Sequence, residues 1–164
     1  MTTTALASHL AAASQVLGQL PAGLNILTYG TQSTEPRGML ASWVQQASFS
    51  PLMVSVVLNP QRAAYEHLHA SPTFVLNLLP EQANALMKPF ANPNQTDPFA
   101  GLATTWVEGY GVQLSEALGA LYCKAVSFHP SGDHVLLLAE VEGGSLLAPE
   151  ATTWVHKRKQ AIHY

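Results

Sequence analysis

The chemistry open to this chain lies in a run of small, hydroxyl and amide residues that ends on an arginine. Gly38-Met39-Leu40-Ala41-Ser42-Trp43-Val44-Gln45-Gln46-Ala47-Ser48-Phe49-Ser50-Pro51 precedes the apolar stretch Leu52–Leu58, and Asn59-Pro60-Gln61-Arg62 follows it. No acid–base pair stands out in this segment. Its residue types suit a neutral cradle. Ala41 and Ala47 leave room for a planar ring against the backbone, and Ser42 and Ser48 supply hydroxyl donors. Arg62, at a helix start, can meet a phosphate, because helix N–H groups and a guanidinium both favour anions. A half-buried strand with a polar face produces the same pattern, and periodicity alone leaves the two readings even.

Other catalytic signatures are missing. There is no Gly-x-x-x-x-Gly-Lys loop, no Gly-x-Gly-x-x-Gly, no Gly-x-Ser-x-Gly elbow and no His-Glu-x-x-His. Gly109-Tyr110-Gly111 lacks the third glycine of a dinucleotide fingerprint. Cys123 stands beside Tyr122 in an apolar strand and reads as a buried, inert thiol. The seven histidines form no recurring metal-ligand spacing. His67 and His69 are two apart on a helix, diverge by about 160°, and read as solvated surface. No metal site is expected.

Composition narrows the class. The 164 residues suit a single domain, 1–164, with an N-terminal helix over 1–20 and a basic tail over 150–164. Charged residues make up 10% of the chain, against about 25% in an average soluble domain. The formal net charge is −3, and no Lys/Arg-rich face is evident, which argues against nucleic acid. No basic residue precedes Arg37, so the apolar stretch Ala5–Leu20 lacks the positive flank of a signal peptide. No apolar run approaches the ~20 residues of a membrane span. The single cysteine fits a reducing, cytoplasmic compartment. Asn94-Gln95-Thr96 reads as a polar loop rather than a glycosylation site. A surface poor in charge suits a face hidden between subunits.

The elements that must position these residues are mostly strands. Thr2–Thr4 offer caps for a helix over 2–20, with Leu6, Leu10, Ala13, Leu17 and Leu20 as its apolar stripe. Strands are expected over Leu24–Thr31, Gly38–Ser48, Leu52–Leu58 and Thr73–Leu79. Short pieces follow at Thr104–Val107 and Gly111–Leu114, then long strands at Leu121–His129 and His134–Val141. Pro130-Ser131-Gly132-Asp133 is the turn between the last two. Helices are expected over Ala63–His69 and Pro80–Phe90, and residues 91–101 form a loop. The tail from Thr152 begins like a strand. Adjacent strands without crossover helices favour a largely antiparallel barrel with a few helices.

Taken in order, these segments resemble the flavin reductase-like, FMN-binding split-barrel family. Gly38–Leu58 is similar to its Gly-Met/Thr-x-Ala-Ser-x-x-x-x-x-Ser stretch before Pro and an apolar strand. Leu20-Pro21-Ala22-Gly23-Leu24 resembles its Leu-Pro-x-Gly-Val opening, and Phe74–Leu79 its Phe-x-Val-Asn-Val-Leu strand. Phe90-Ala91, Asp97–Gly101, Gly132-Asp133-His134 and Ala139-Glu140-Val141 resemble further family elements. The ending His156-Lys157-Arg158-Lys159 with His163-Tyr164 is especially similar to the flavin reductase module of cyanobacterial diflavin flavodiiron proteins. The resemblance runs over residues 16–164.

What the resemblance implies is a mainly β split barrel, usually a homodimer, that binds FMN rather than FAD. The implied reaction is hydride transfer from NADH or NADPH to flavin, with electrons passed to an acceptor, which includes a redox partner protein. The other reading is an FMN-holding electron carrier reduced by a partner. By match to the motifs, Leu40, Ala41, Ser42 and Trp43 hold ribityl and ring, and Ala47 and Ser48 lie along the ring edge. Asn59, Gln61 and Arg62 surround the phosphate, and Phe90 borders the site. His134 lies on the nicotinamide side, as the catalytic candidate, and Lys157 and Arg158 close over cofactor or nucleotide. The residues themselves leave His134 open as a turn histidine, Trp43 as core packing and Lys157–Lys159 as a solvated tail. The chain departs from the pattern twice: Ala63 and Ala64 replace Ser or Thr after the phosphate segment, and Pro98 stands where many relatives have Arg.

Overall fold

A computed structural model describes the backbone of residues 3–31, 35–92 and 95–159, and side chains from His9 onward. In chain order the elements are α1 (Thr3–Gly18), β1 (Ala22–Gly23), β2 (Asn25–Tyr29), β3 (Arg37–Ala41), β4 (Val44–Phe49), β5 (Leu52–Leu58), α2 (Ala63–Ala70) and β6 (Thr73–Leu78). Then come α3 (Asn84–Ala91), β7 (Thr104–Val107), β8 (Gly111–Leu114), β9 (Gly119–Ser131), β10 (His134–Leu146) and β11 (Val155–His156).

Seven strands form one antiparallel sheet in the order β3-β2-β6-β9-β10-β5-β4. Its two edge strands, β3 and β4, are consecutive in the chain and joined only by Ser42 and Trp43. So short a link cannot cross an open sheet, whose strands lie about 4.8 Å apart. The sheet therefore curls until its edges meet. The Val57 N–H donates to the Trp43 carbonyl at 2.9 Å and ties this corner to β5.

Alternation along the strands sends one set of side chains into the barrel. Leu27, Val54, Val56, Leu58, Phe74, Leu76, Cys123, Leu137 and Ala139 fill it, with Ala64 and Leu68 of α2 closing one end. The opposite face of β2 carries Ile26, which packs with Leu24 just before the strand and with Leu79, Leu86, Phe90 and Leu114 beneath α3 and β8. With both faces covered, every residue of β2 is buried. Thr28 and Asn77 are the polar members between these layers. Asn77 Nδ2 donates to the Ile26 carbonyl at 3.2 Å, and its Oδ1 accepts the Leu114 N–H at 2.8 Å, pinning the β7–β8 hairpin to the barrel.

Four expectations are corrected. The strand over Gly38–Ser48 is two strands, because the chain turns from one barrel edge to the other at Ser42–Trp43. The helix expected over Pro80–Phe90, α3, begins at Asn84 rather than Pro80. Pro80 bridges Thr153, Glu81 N–H donates to the Thr152 carbonyl, and Gln82 takes a φ of 61°, outside the helical region. Pro130 and Ser131 belong to β9, and the turn is Gly132-Asp133 alone, with Gly132 at a φ of 64°. Finally, the expected leucine stripe faces outward where its side chains are described: Leu10 and Leu17 of α1 and Leu20 just after it are between 50% and 62% exposed, while Ser14 is buried. No helix among the described residues is long and apolar enough to cross a membrane. Thr2, Asn94, His163 and Tyr164 lie outside the described residues.

Candidate functional site

The segment from Gly38 to Trp43 runs between two cavities and gives residues to each. The first has a volume of about 320 Å³ and opens between the β2–β3 end, the start of α2 and the end of α3. Gly38, Met39, Arg62 and Phe90 are in its wall, and so are Arg37, Tyr29, Ala63 and Ala64. A Cβ on Gly38 would stand 2.6 Å from Phe90 Cε1, so only glycine lets β3 pass this close to the phenyl ring. The second cavity, about 470 Å³, lies outside the barrel between β4, β5, the end of α1 and the tail. Ser42, Trp43 and Arg158 line it with Leu17, Leu20 and His156. Both volumes fall in the range usual for small-molecule sites.

In the first cavity the electrostatics favour an anion. Arg37 and Arg62 both line it, and among the described residues neither forms an ion pair with a carboxylate. Glu35 is the acidic group in the same wall. Arg62 is also the N-cap residue of α2, and no side chain caps that helix. The Tyr65 N–H turns back to the Arg62 carbonyl at 2.9 Å, which leaves the Ala63 and Ala64 N–H groups of the first turn for water or a ligand. Asn59 shapes the approach: its Oδ1 accepts the Gln61 N–H at 2.9 Å, an Asx turn that delivers Arg62 to the helix start. Gln61 itself is exposed.

At the second cavity an aromatic and cationic cluster forms. The Trp43 and His134 rings are 5.0 Å apart, and the Arg158 guanidinium carbon lies 5.0 Å from the Trp43 ring centroid. His134 opens β10, and its Nδ1 is 2.8 Å from Asp133 Oδ1, a contact that holds the Asp133 carboxyl below its usual range. Arg158 is fixed by its own backbone, which donates to the Gly18 carbonyl at the end of α1 at 2.9 Å. Lys157 is exposed.

The remaining candidates stand apart from both cavities. Ala41 is 5% exposed within the barrel core, and its carbonyl accepts from Asn25 Nδ2 at 3.2 Å. Leu40 packs against the cluster under α3. Ala47 is the extra residue of a β-bulge in β4 and is exposed; Ser48 Oγ accepts the Ser50 N–H at 3.2 Å. Cys123 is fully buried, and burial pushes its thiol up to about 12.

Arg37 and Tyr29 are among the wall residues that the sequence reading does not single out, while Pro98 is there as one of its two departures from the family pattern. Arg37 is the first Lys or Arg in the chain and directly precedes the Gly38 run, and that position is its only signal in the sequence. Tyr29 reads as an ordinary strand residue, and Pro98 lines the first cavity where a polar loop was expected. His69 is exposed, as the sequence reading has it, whereas His67 is half-buried. The His69 ring stacks on Phe128 at 3.9 Å, and the His67 ring is 4.9 Å from that of Tyr29 with its Nε2 buried.

The comparisons with known proteins agree with this architecture. A family profile described as "Flavin reductase like domain" matches residues 17–163. The chain belongs to the flavin reductase-like family, whose members are flavin-binding oxidoreductases, and its barrel is the split barrel of that family. It is 38% identical over 153 residues to diflavin flavoprotein A 6 of Nostoc sp., an overlap of 92% of this chain and 27% of the relative. It is 36% identical over 154 residues to diflavin flavoprotein A 1 of Synechocystis sp., covering 92% of this chain and 26% of that one. The chain thus spans about a quarter of the length of these curated relatives. Among solved structures, the NADH:FAD oxidoreductase SgcE6 of Streptomyces globisporus, in complex with NAD and FAD fragments, superposes with a TM-score of 0.80 at 26% identity, covering 87% of this chain and 85% of the other.

Proposed function

We propose that this chain, as one split-barrel domain, binds FMN and transfers hydride to it from NADH or NADPH, with the electrons passed to an acceptor. The observation that carries the reading is the pair Arg37 and Arg62 lining one cavity at the uncapped start of α2 with no carboxylate partner among the described residues. That combination suits a phosphate monoester and fits FMN better than riboflavin. Ala63 and Ala64 bring no hydroxyls there, so the guanidinium groups and helix N–H groups do the binding.

When bound, the flavin supplies the hydride-accepting chemistry, which is why the protein needs no acid–base dyad of its own. Ser42 and the Leu40–Ser42 backbone hold ring and ribityl groups beside the barrel edge, and Ala47 and Ser48 border the ring edge from β4. Phe90 closes the phosphate end against water. Trp43 presents an aromatic face on the other side of the segment. His134 orients the nicotinamide there through its Asp133-paired ring, and Arg158, with Lys157, closes over the anionic nucleotide. The outward leucines of α1, with Val16 at 68% exposure, form the face that a second copy covers in a homodimer.

Pro98 favours one second reading. It brings no cation to the wall, which suits an FMN-holding carrier reduced by a redox partner protein. The test is an absorbance spectrum of the purified protein in FMN. Flavin bands bleached by NADH or NADPH support the enzyme; bleaching by ferredoxin or dithionite only supports the carrier. No flavin binding removes both.

A further inference from the structure

We propose that His67 is a positioning residue of the anion site, taking up a proton when a phosphate monoester occupies the Arg37–Arg62 cavity. The inference rests on the reading that the phosphate binds there. His67 lies one helical turn beyond Ala63 and Ala64, which are in the cavity wall. Residues three and four apart share a helix face. Its ring sits 4.9 Å from that of Tyr29, another wall residue, and its Nε2 is buried with no hydrogen-bond partner among the described residues. The imidazole therefore packs against the wall residue Tyr29 and lies on the helix face of Ala63 and Ala64, with one ring nitrogen unpartnered among the described residues.

The surrounding charges set the sign. Tyr29 faces His67 from β2, and Arg37 acts on it through space from β3. On its own helix Glu66 is exposed, and His69 is turned to Phe128 of β9. Arg62 stands at the helix start. Burial and the Arg37 charge together hold the His67 imidazole below its usual range. An arriving phosphate dianion offsets the guanidinium charges, so protonation of His67 becomes easier. By linkage, a protonated His67 must then tighten phosphate binding by the same factor.

Imidazole NMR on the whole chain, with inorganic phosphate as the probe, tests this, together with FMN affinity against pH in wild type and H67Q. The expected result is a His67 titration midpoint that rises on adding phosphate. FMN affinity should then gain on the order of threefold to tenfold more between pH 8 and pH 6 in wild type than in H67Q. Comparison with H67Q removes the second ionisation of the FMN phosphate itself, which falls near pH ~6. If Arg62→Ala weakens FMN but the His67 midpoint stays fixed and the two pH profiles run parallel, the role of His67 is overturned while the phosphate site stands. If Arg62→Ala leaves FMN affinity unchanged, the phosphate site itself is refuted.

Discussion

Arg158 and Trp43 are joined across the second cavity, with the guanidinium carbon 5.0 Å from the indole centroid. The contact links the tail to the corner where the barrel edges meet, and Arg158 N–H also ties the tail to the end of α1. A cation over an indole contributes about 0.5–1 kcal/mol at a partly exposed site. Arg158→Ala should shift the Trp43 fluorescence and raise the nucleotide KM about threefold to tenfold, with FMN affinity little changed. An unchanged KM with unchanged emission would show that Arg158 does not close over nucleotide.

Gly38 and Phe90 make a second prediction. An alanine methyl at Gly38 lands 2.6 Å from Phe90 Cε1, and Phe90 is 7% exposed, so the ring has little room to yield. Gly38→Ala should destabilise the fold by about 1–3 kcal/mol. Thermal melts of G38A and of the double variant G38A/F90L check this: the smaller side chain should recover part of the loss. A G38A melt at the wild-type temperature would contradict the packing.

Asn77 holds the β7–β8 hairpin through the Leu114 N–H. Asn77→Ala leaves that buried donor and the Ile26 carbonyl short of a partner, costing about 1–3 kcal/mol. Hydrogen exchange should quicken at the Leu114 amide more than at β9 or β10 amides. Equal protection at Leu114 in both proteins would mean another group carries the hairpin.

Cys123 makes the fold sensitive to alkali. Its folded thiol, at about 12, lies above the unfolded value of about 8.5. Between those values the unfolded chain loses a proton that the native chain keeps, so stability falls as pH rises, by at most roughly 1.4 kcal/mol per pH unit. Tyr29, raised by burial, acts in the same direction at still higher pH. Denaturant titrations from pH 8 to 11 should show a shallower decline in Cys123→Ala than in wild type. Parallel slopes would exclude the thiol as the source.

The strands were legible where alternation and turn residues coincide: Leu52–Leu58, Thr104–Val107 and Gly111–Leu114 have the bounds that their residue pattern predicts. The corner at Ser42–Trp43 was not, because its cause is closure of the whole sheet, which no local window contains. Pro80 and Glu81 look like a helix start, yet the tail captures them through Thr152 and Thr153, a long-range pairing. The structure brings part of the candidate set together. Arg62 and Phe90 line one cavity, and Ser42, Trp43 and Arg158 line the other, with the His134 ring against Trp43. Ala41 shows the limit of reading by residue type: a small side chain on a strand serves the core as well as a cradle, and pleat direction decides. Arg37 has no motif of its own: it stands alone ahead of the neutral run, and only the fold brings it to the same cavity as Arg62.

The central claim is that Arg62 binds a flavin phosphate, and the most direct measurement compares FMN with riboflavin. Fluorescence titrations of wild type and Arg62→Ala with each ligand suffice. FMN should bind about 1.5–3 kcal/mol more weakly to the variant, while riboflavin, lacking the phosphate, should bind both proteins alike. Equal losses for the two ligands, or no loss for either, would contradict the assignment.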